Sequence, residues 1–112
     1  MEYREYIFTN KDEIIELLNK NQNVVEVIIG AINGIDDQKW LEELCIKYLF
    51  NEDFEIARTA LYGIGHIARM YGTLLNKGLI EKQFVKIKDE KLNHVLQDVK
   101  DDLDIFLKKN KS

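Results

Sequence analysis

The chain has 112 residues, enough for one domain spanning 1–112 and too few for two. Apolar residues make up 46% and charged residues 32%, the balance of a soluble domain that can bury a core without disulfides or metals. The net charge of −4 argues against a phosphate-tracking surface, whose affinity comes from lysines and arginines, and favours a basic protein as partner.

The residue inventory narrows the chemistry further. Cys45 is the only cysteine, so no intramolecular disulfide can form, and its apolar neighbours predict a buried small hydrophobe. Ser112 is the only serine and stands at the last position, which excludes a serine-based triad. His66 and His94 lie in no HExxH or CxxC spacing, so no metal and no cofactor are expected. The opening MEYREYIFTN mixes Glu2, Arg4 and Glu5 among its apolar residues, unlike a signal peptide, and no stretch reaches the roughly 18 apolar residues of a membrane span. A cytoplasmic protein is expected.

There is no proline, so Gly, Asn and Asp must make the turns. Tyr3, Tyr6 and Ile7 have the spacing of a short helical turn. Asn10-Lys11-Asp12-Glu13 resembles a capping box and predicts a first helix over 10–20 with Ile14, Ile15, Leu17 and Leu18. Asn21-Gln22-Asn23 is a turn. Asn23 to Glu26 repeats the cap pattern and opens a second helix on the stripe Val24, Val27, Ile28 and Ala31, with Gly34 expected just past its end. The run VVEVIIGAI is rich in β-branched residues, but its flanking caps favour helix over strand.

Asp36 and Asp37 open a third helix, where acid suits the helix dipole. Its apolar face is Trp40, Leu41, Leu44, Cys45, Tyr48 and Leu49, with Glu43 and Lys47 as an i, i+4 pair elsewhere. The acidic turn Asn51-Glu52-Asp53 leads into a fourth helix lined by Ile56, Ala57, Ala60, Ile64, Ile67 and Ala68, bordered by Leu61 and ended by Gly72. Thr73 to Gly78 reads as a loop, a fifth helix is expected over 79–87, and Asp89-Glu90 caps a sixth that runs to about Lys109. Its stripe is Leu92, Val95, Leu96, Val99, Leu103, Phe106 and Leu107.

A shift of 39 residues superposes the last helix pair on the one before it. Trp40, Leu41, Cys45 and Tyr48 fall on Leu79, Ile80, Phe84 and Ile87, and Ile56, Ala57, Ala60, Ile64, Ile67 and Ala68 fall on Val95, Leu96, Val99, Leu103, Phe106 and Leu107. Each position is apolar in both copies. A helix-pair period near 40 marks HEAT or armadillo solenoids, which predicts an all-α, HEAT-like superhelix of about three helix pairs.

The run WLEELCIKYLFNEDFEIARTALYGIGHIARMYGTL, with Gly65-His66-Ile67-Ala68-Arg69 near its end, is similar to a family of small bacterial HEAT-repeat proteins. The resemblance covers about Glu26 to Leu74. It departs from usual HEAT repeats in lacking the turn proline and the Asp-x-x-x-Arg ladder of the last repeat. Members look like immunity proteins of polymorphic-toxin or contact-dependent growth inhibition systems. The resemblance therefore implies a non-enzymatic protein that binds a cognate toxin domain and blocks its active site.

In a HEAT stack the second helix of each pair lines the concave side. Off the core stripe of the fourth helix stand Arg58, Thr59, Tyr62, Gly65, His66 and Arg69, and the 39-residue shift brings Gln97, Asp98, Asp101, Asp104, Ile105 and Lys108 beside them. The expected partner-binding set is Tyr62, His66, Arg69, Asp98, Asp101 and Asp104. Aromatics beside carboxylates suit a basic nuclease, the carboxylates standing in for phosphates and the tyrosine giving a rigid anchor. Each residue also has a plainer reading: His66 as a packing histidine, Arg69 as an inter-helix tie, the aspartates as a solvated face, and Gly63 and Gly65 as sites of close helix packing. A general HEAT-type adaptor is the alternative function. A HEAT-like DNA glycosylase or bilin lyase stands further off, since a glycosylase requires a basic concave face.

Overall fold

The computed structural model describes residues 6–108, of which Lys108 contributes its backbone only. The described residues form six α-helices and no strand: α1 Lys11–Asn19, α2 Val24–Gly34, α3 Gln38–Tyr48, α4 Phe54–Tyr71, α5 Lys77–Val85 and α6 Glu90–Lys108. Of the expected N-terminal turn, Tyr3 lies outside the described residues, and 6–10 are not helical.

Most helix starts follow from the local caps. Asn10 accepts from the Glu13 amide at 3.0 Å, Asp37 from Trp40 at 3.1 Å, and Asp53 from Glu55 and Ile56, each satisfying an amide that the first turn leaves open. Gly72 ends α4 in the left-handed region, φ 73°, and its N–H reaches the Ala68 carbonyl. Lys11 ties the first pair to the second by bonding Asp37 at 2.6 Å while standing over the Trp40 ring. The Lys11 ammonium holds the Asp37 carboxyl below its ordinary range.

Several local expectations need correction. Asn23 does not cap α2 with its side chain; it takes a left-handed conformation, φ 49°, as does Asn21 at φ 55°, and the turn is made by this backbone geometry. Gly34 is the last residue of α2, not the residue beyond it. Its role is close approach: a Cβ there would collide with the Phe8 carbonyl oxygen. Gly30 serves the same strand of chain, because a Cβ would meet the Phe8 ring, and the Phe8 N–H donates to the Gly30 carbonyl. Lys47 lies over the Tyr48 ring instead of pairing with Glu43. The fifth helix begins at Lys77, two residues before the expected Leu79, with Gly78 inside it.

The cause of that early start is Glu42. It is fully buried, and its two carboxylate oxygens accept from the Leu75 and Asn76 backbone amides, the Asn76 side chain and Gln38. These bonds seat the loop after α4 against α3 and place a carboxylate at the N-terminus of α5, where the dipole favours it. Gln38 closes the arrangement by also donating to the Thr73 carbonyl at 2.7 Å.

Helix α4 is the centre of the molecule. It packs against α2, α3 and α6, while α1 packs on α2. Its residues Ala60, Leu61, Ile64, Ile67 and Ala68 are fully buried, and one apolar cluster runs from Ile14 in α1 to Val99 in α6. Leu103, Phe106 and Leu107, the far end of the α6 stripe, are only half-buried because no further helix covers them among the described residues. Tyr71 fastens the end of α4 to the α2–α3 loop through a 2.9 Å bond to Asp36.

Candidate functional site

The side of α4 left uncovered by α2, α3 and α6 carries the row Arg58, Thr59, Tyr62, His66 and Arg69. Two glycines fix how close its flanks come. A Cβ on Gly63 would stand 2.7 Å from Cys45 Sγ and 2.9 Å from Ile32 Cδ1, so its absence lets α4 sit directly on α3 and α2. Gly65 faces α6, where a Cβ would find Val99 at 3.6 Å and Asp102 at 3.8 Å, ordinary contact distances. Both glycines are buried, Gly63 at the floor of the groove and Gly65 against α6.

The row forms the floor of an open groove of about 570 Å³, walled by Ile29, Ile32 and Asn33 of α2 and by Asp102 of α6. Tyr62 is exposed, and its hydroxyl donates to Asp98 at 3.4 Å, long for a hydroxyl donor, which ties the floor to the α6 wall. Arg69 lies 5.1 Å from the centre of the Phe106 ring, a cation–π contact that holds its planar head against α6. Arg58 pairs with Glu55 at 2.7 Å, while its Nε is shielded from solvent and has no hydrogen-bond partner among the described residues. The His66 pKa lies below the usual imidazole value, through partial burial first and the Arg69 charge second.

The expected single surface divides in two. Tyr62, His66 and Arg69 share the α4 groove, with Asp98 reached through Tyr62. Asp101 and Asp104 line a second groove of about 550 Å³ between α5 and α6, with Lys77, Glu81, Lys100 and Phe84. The reason is helical phase: four residues carry Asp98 to Asp102 along the α4 side, whereas Asp101 and Asp104 rotate progressively toward α5. Sequence reasoning missed Asp102 as the carboxylate of the α4 groove, although its i, i+4 spacing from Asp98 was the available signal. It also missed the α2 wall of Ile29 and Asn33, which carries no local signature, and the buried Glu42, whose place between Leu41 and Leu44 on the apolar side of α3 was the only clue.

Cys45 is fully buried, and burial, reinforced by the Glu42 charge, pushes its thiol up to about 12. Among the described residues no group of three or more His, Cys, Asp or Glu could hold a metal, and no helix is long and apolar enough to cross a membrane. The groove brings together two guanidiniums, one carboxylate, an imidazole and a tyrosine beside an apolar wall. No family model, curated protein or solved structure matches the chain.

Proposed function

We propose that the chain is a short HEAT-like α-solenoid whose role is to bind another protein, and specifically that it is a cytoplasmic immunity protein. It binds a cognate bacterial toxin domain, a basic nuclease, and covers its active site without catalysing a reaction. The solenoid reading is supported by α3 and α5 starting 39 positions apart, at Gln38 and Lys77, and by α4 lying between α2 and α6 in a row of second helices.

The observation that carries the binding reading is the exposed Tyr62. An exposed tyrosine on the floor of the groove, with Asp98 3.4 Å from its hydroxyl, is an amphipathic anchor of the kind that dominates protein interfaces. Asp98, exposed on α6 beside the tyrosine, adds charge suited to a basic partner, and Asp101 and Asp104 carry the same charge round to the α5–α6 groove. The test is expression of the polypeptide encoded immediately upstream, alone and together with this chain. Growth arrest relieved by co-expression is expected. An upstream product that is neither toxic nor bound refutes the immunity reading.

A further inference from the structure

We propose that the α5–α6 groove is the contact surface of a two-fold dimer, its occupant the same surface of a second copy of this chain. The groove shares no lining residue with the α4 groove, so this goes beyond the proposed function and does not depend on what the α4 groove binds. Stacks of helix pairs close on a polar outer face. Here the last pair ends instead on an apolar cleft of about 550 Å³. Leu103 and Leu107 line it from α6 and are half-buried, and Val85 lines it from α5 and is 75% exposed.

The charges around the cleft identify the occupant. Lys77 stands 4.0 Å from Glu81, and Asp101 accepts from Gln97 at 3.0 Å, so each of these already has a partner. Lys100 and Asp104 are left over. Both are exposed, both line the cleft, and neither has a hydrogen-bond or ion-pair partner among the described residues. They stand four positions apart on α6, about 6 Å along its axis. Lysine preceding the acid is the weaker order for pairing within one helix. Between two helices the same spacing is self-complementary. Where α6 of one copy lies antiparallel to α6 of the other across a two-fold axis, Lys100 of each meets Asp104 of the other, and both charges are answered at once. Leu103 lies between them on the same face of α6 and meets its own counterpart near the axis. A wholly acidic or wholly basic partner would meet like charge at one of the two residues, and an uncharged one would bury both unpaired. A second copy carries the complementary spacing by necessity.

Sedimentation velocity on the full chain tests this, over loading concentrations from about 1 μM to about 1 mM. The mass is expected to rise from 13.2 kDa toward twice that value and to stop there. Lys100→Glu alone makes the pair wholly acidic and Asp104→Lys alone makes it wholly basic, so each should weaken self-association about tenfold or more. An equimolar mixture of the two variants should restore it, since each then meets its complement, and so should one chain carrying both exchanges. Circular dichroism establishes that each variant is folded. A mass that stays at 13.2 kDa throughout would overturn the proposal and leave the cleft to a different protein. Growth beyond a dimer, association indifferent to the single exchanges, or single variants that fail to recover on mixing would also overturn it. Co-expression with the upstream polypeptide reads toxin binding instead, so failure of either proposal leaves the other standing.

Discussion

The Glu42 carboxylate accepts the Asn76 backbone amide at 2.7 Å, joining the middle of α3 to the first turn of α5 across 34 positions of chain. The second oxygen does the same for Leu75 at 2.8 Å. This buried anion fixes where the third helix pair begins, and so how α6 presents its face beside α4. Glu42→Ala removes both acceptor oxygens at once and leaves the Leu75 and Asn76 backbone amides and the Asn76 side chain without this partner, while Gln38 keeps only the Thr73 carbonyl. A loss of about 2–3 kcal/mol is expected in urea unfolding, with hydrogen exchange at the Leu75 and Asn76 amides accelerated before the rest of the molecule.

The two glycines of α4 should respond in opposite directions. Gly65→Ala gains helix propensity and meets only ordinary contacts, so it should stabilise the fold by up to about 1 kcal/mol. Gly63→Ala gains the same propensity but drives a methyl into Cys45 and Ile32, and overpacking of about 1–3 kcal/mol should outweigh it. Thermal unfolding of the two variants measures the contrast. Adding Cys45→Ala to Gly63→Ala should recover part of the loss, because the sulfur is the nearer obstacle.

The Cys45 thiol should be inert in the native protein. Its reaction with an aromatic disulfide reagent should proceed at the rate of unfolding and become fast only in denaturant. Its raised pKa also sets a sign for alkaline stability. The native state keeps the proton to about pH 12 while the unfolded chain releases it near 9.0, so the contribution is whole below pH 9 and lost as pH rises between those values.

His66 has the opposite dependence. Its native pKa lies below 6.5, so between the two values the unfolded state binds the proton first. Its contribution is complete above pH 6.5 and falls as pH drops through the native value. NMR titration of the imidazole should show a midpoint below 6.5, and Arg69→Ala should move it upward, since part of the depression comes from that charge.

The helices were legible because their ends are written locally. Asp37, Asp53 and Gly72 each act within one turn of their own position, so a short window of sequence contains the whole cause. Asn23 and Gly34 were misread because the same residue types serve two physical ends: Asn can cap or adopt positive φ, and Gly can end a helix or admit a neighbour such as Phe8. Start of α5 at Lys77 depends on Glu42, thirty-five positions away, which no local pattern contains. The groove was half legible. Periodicity put Tyr62, His66 and Arg69 on one side of α4, but which aspartate of α6 faces them is set by the rotation of α6 on Val99 and Gly65. That is a packing outcome, and it selected Asp102 over Asp101 and Asp104.

The most direct measurement of the central claim is isothermal titration of the upstream-encoded domain into this protein and into its Tyr62→Ala variant. A one-to-one complex is expected, and loss of the tyrosine should cost about 2 kcal/mol or more, roughly thirtyfold in affinity. No heat of binding, or a complex equally tight without Tyr62, would contradict a function centred on the α4 groove.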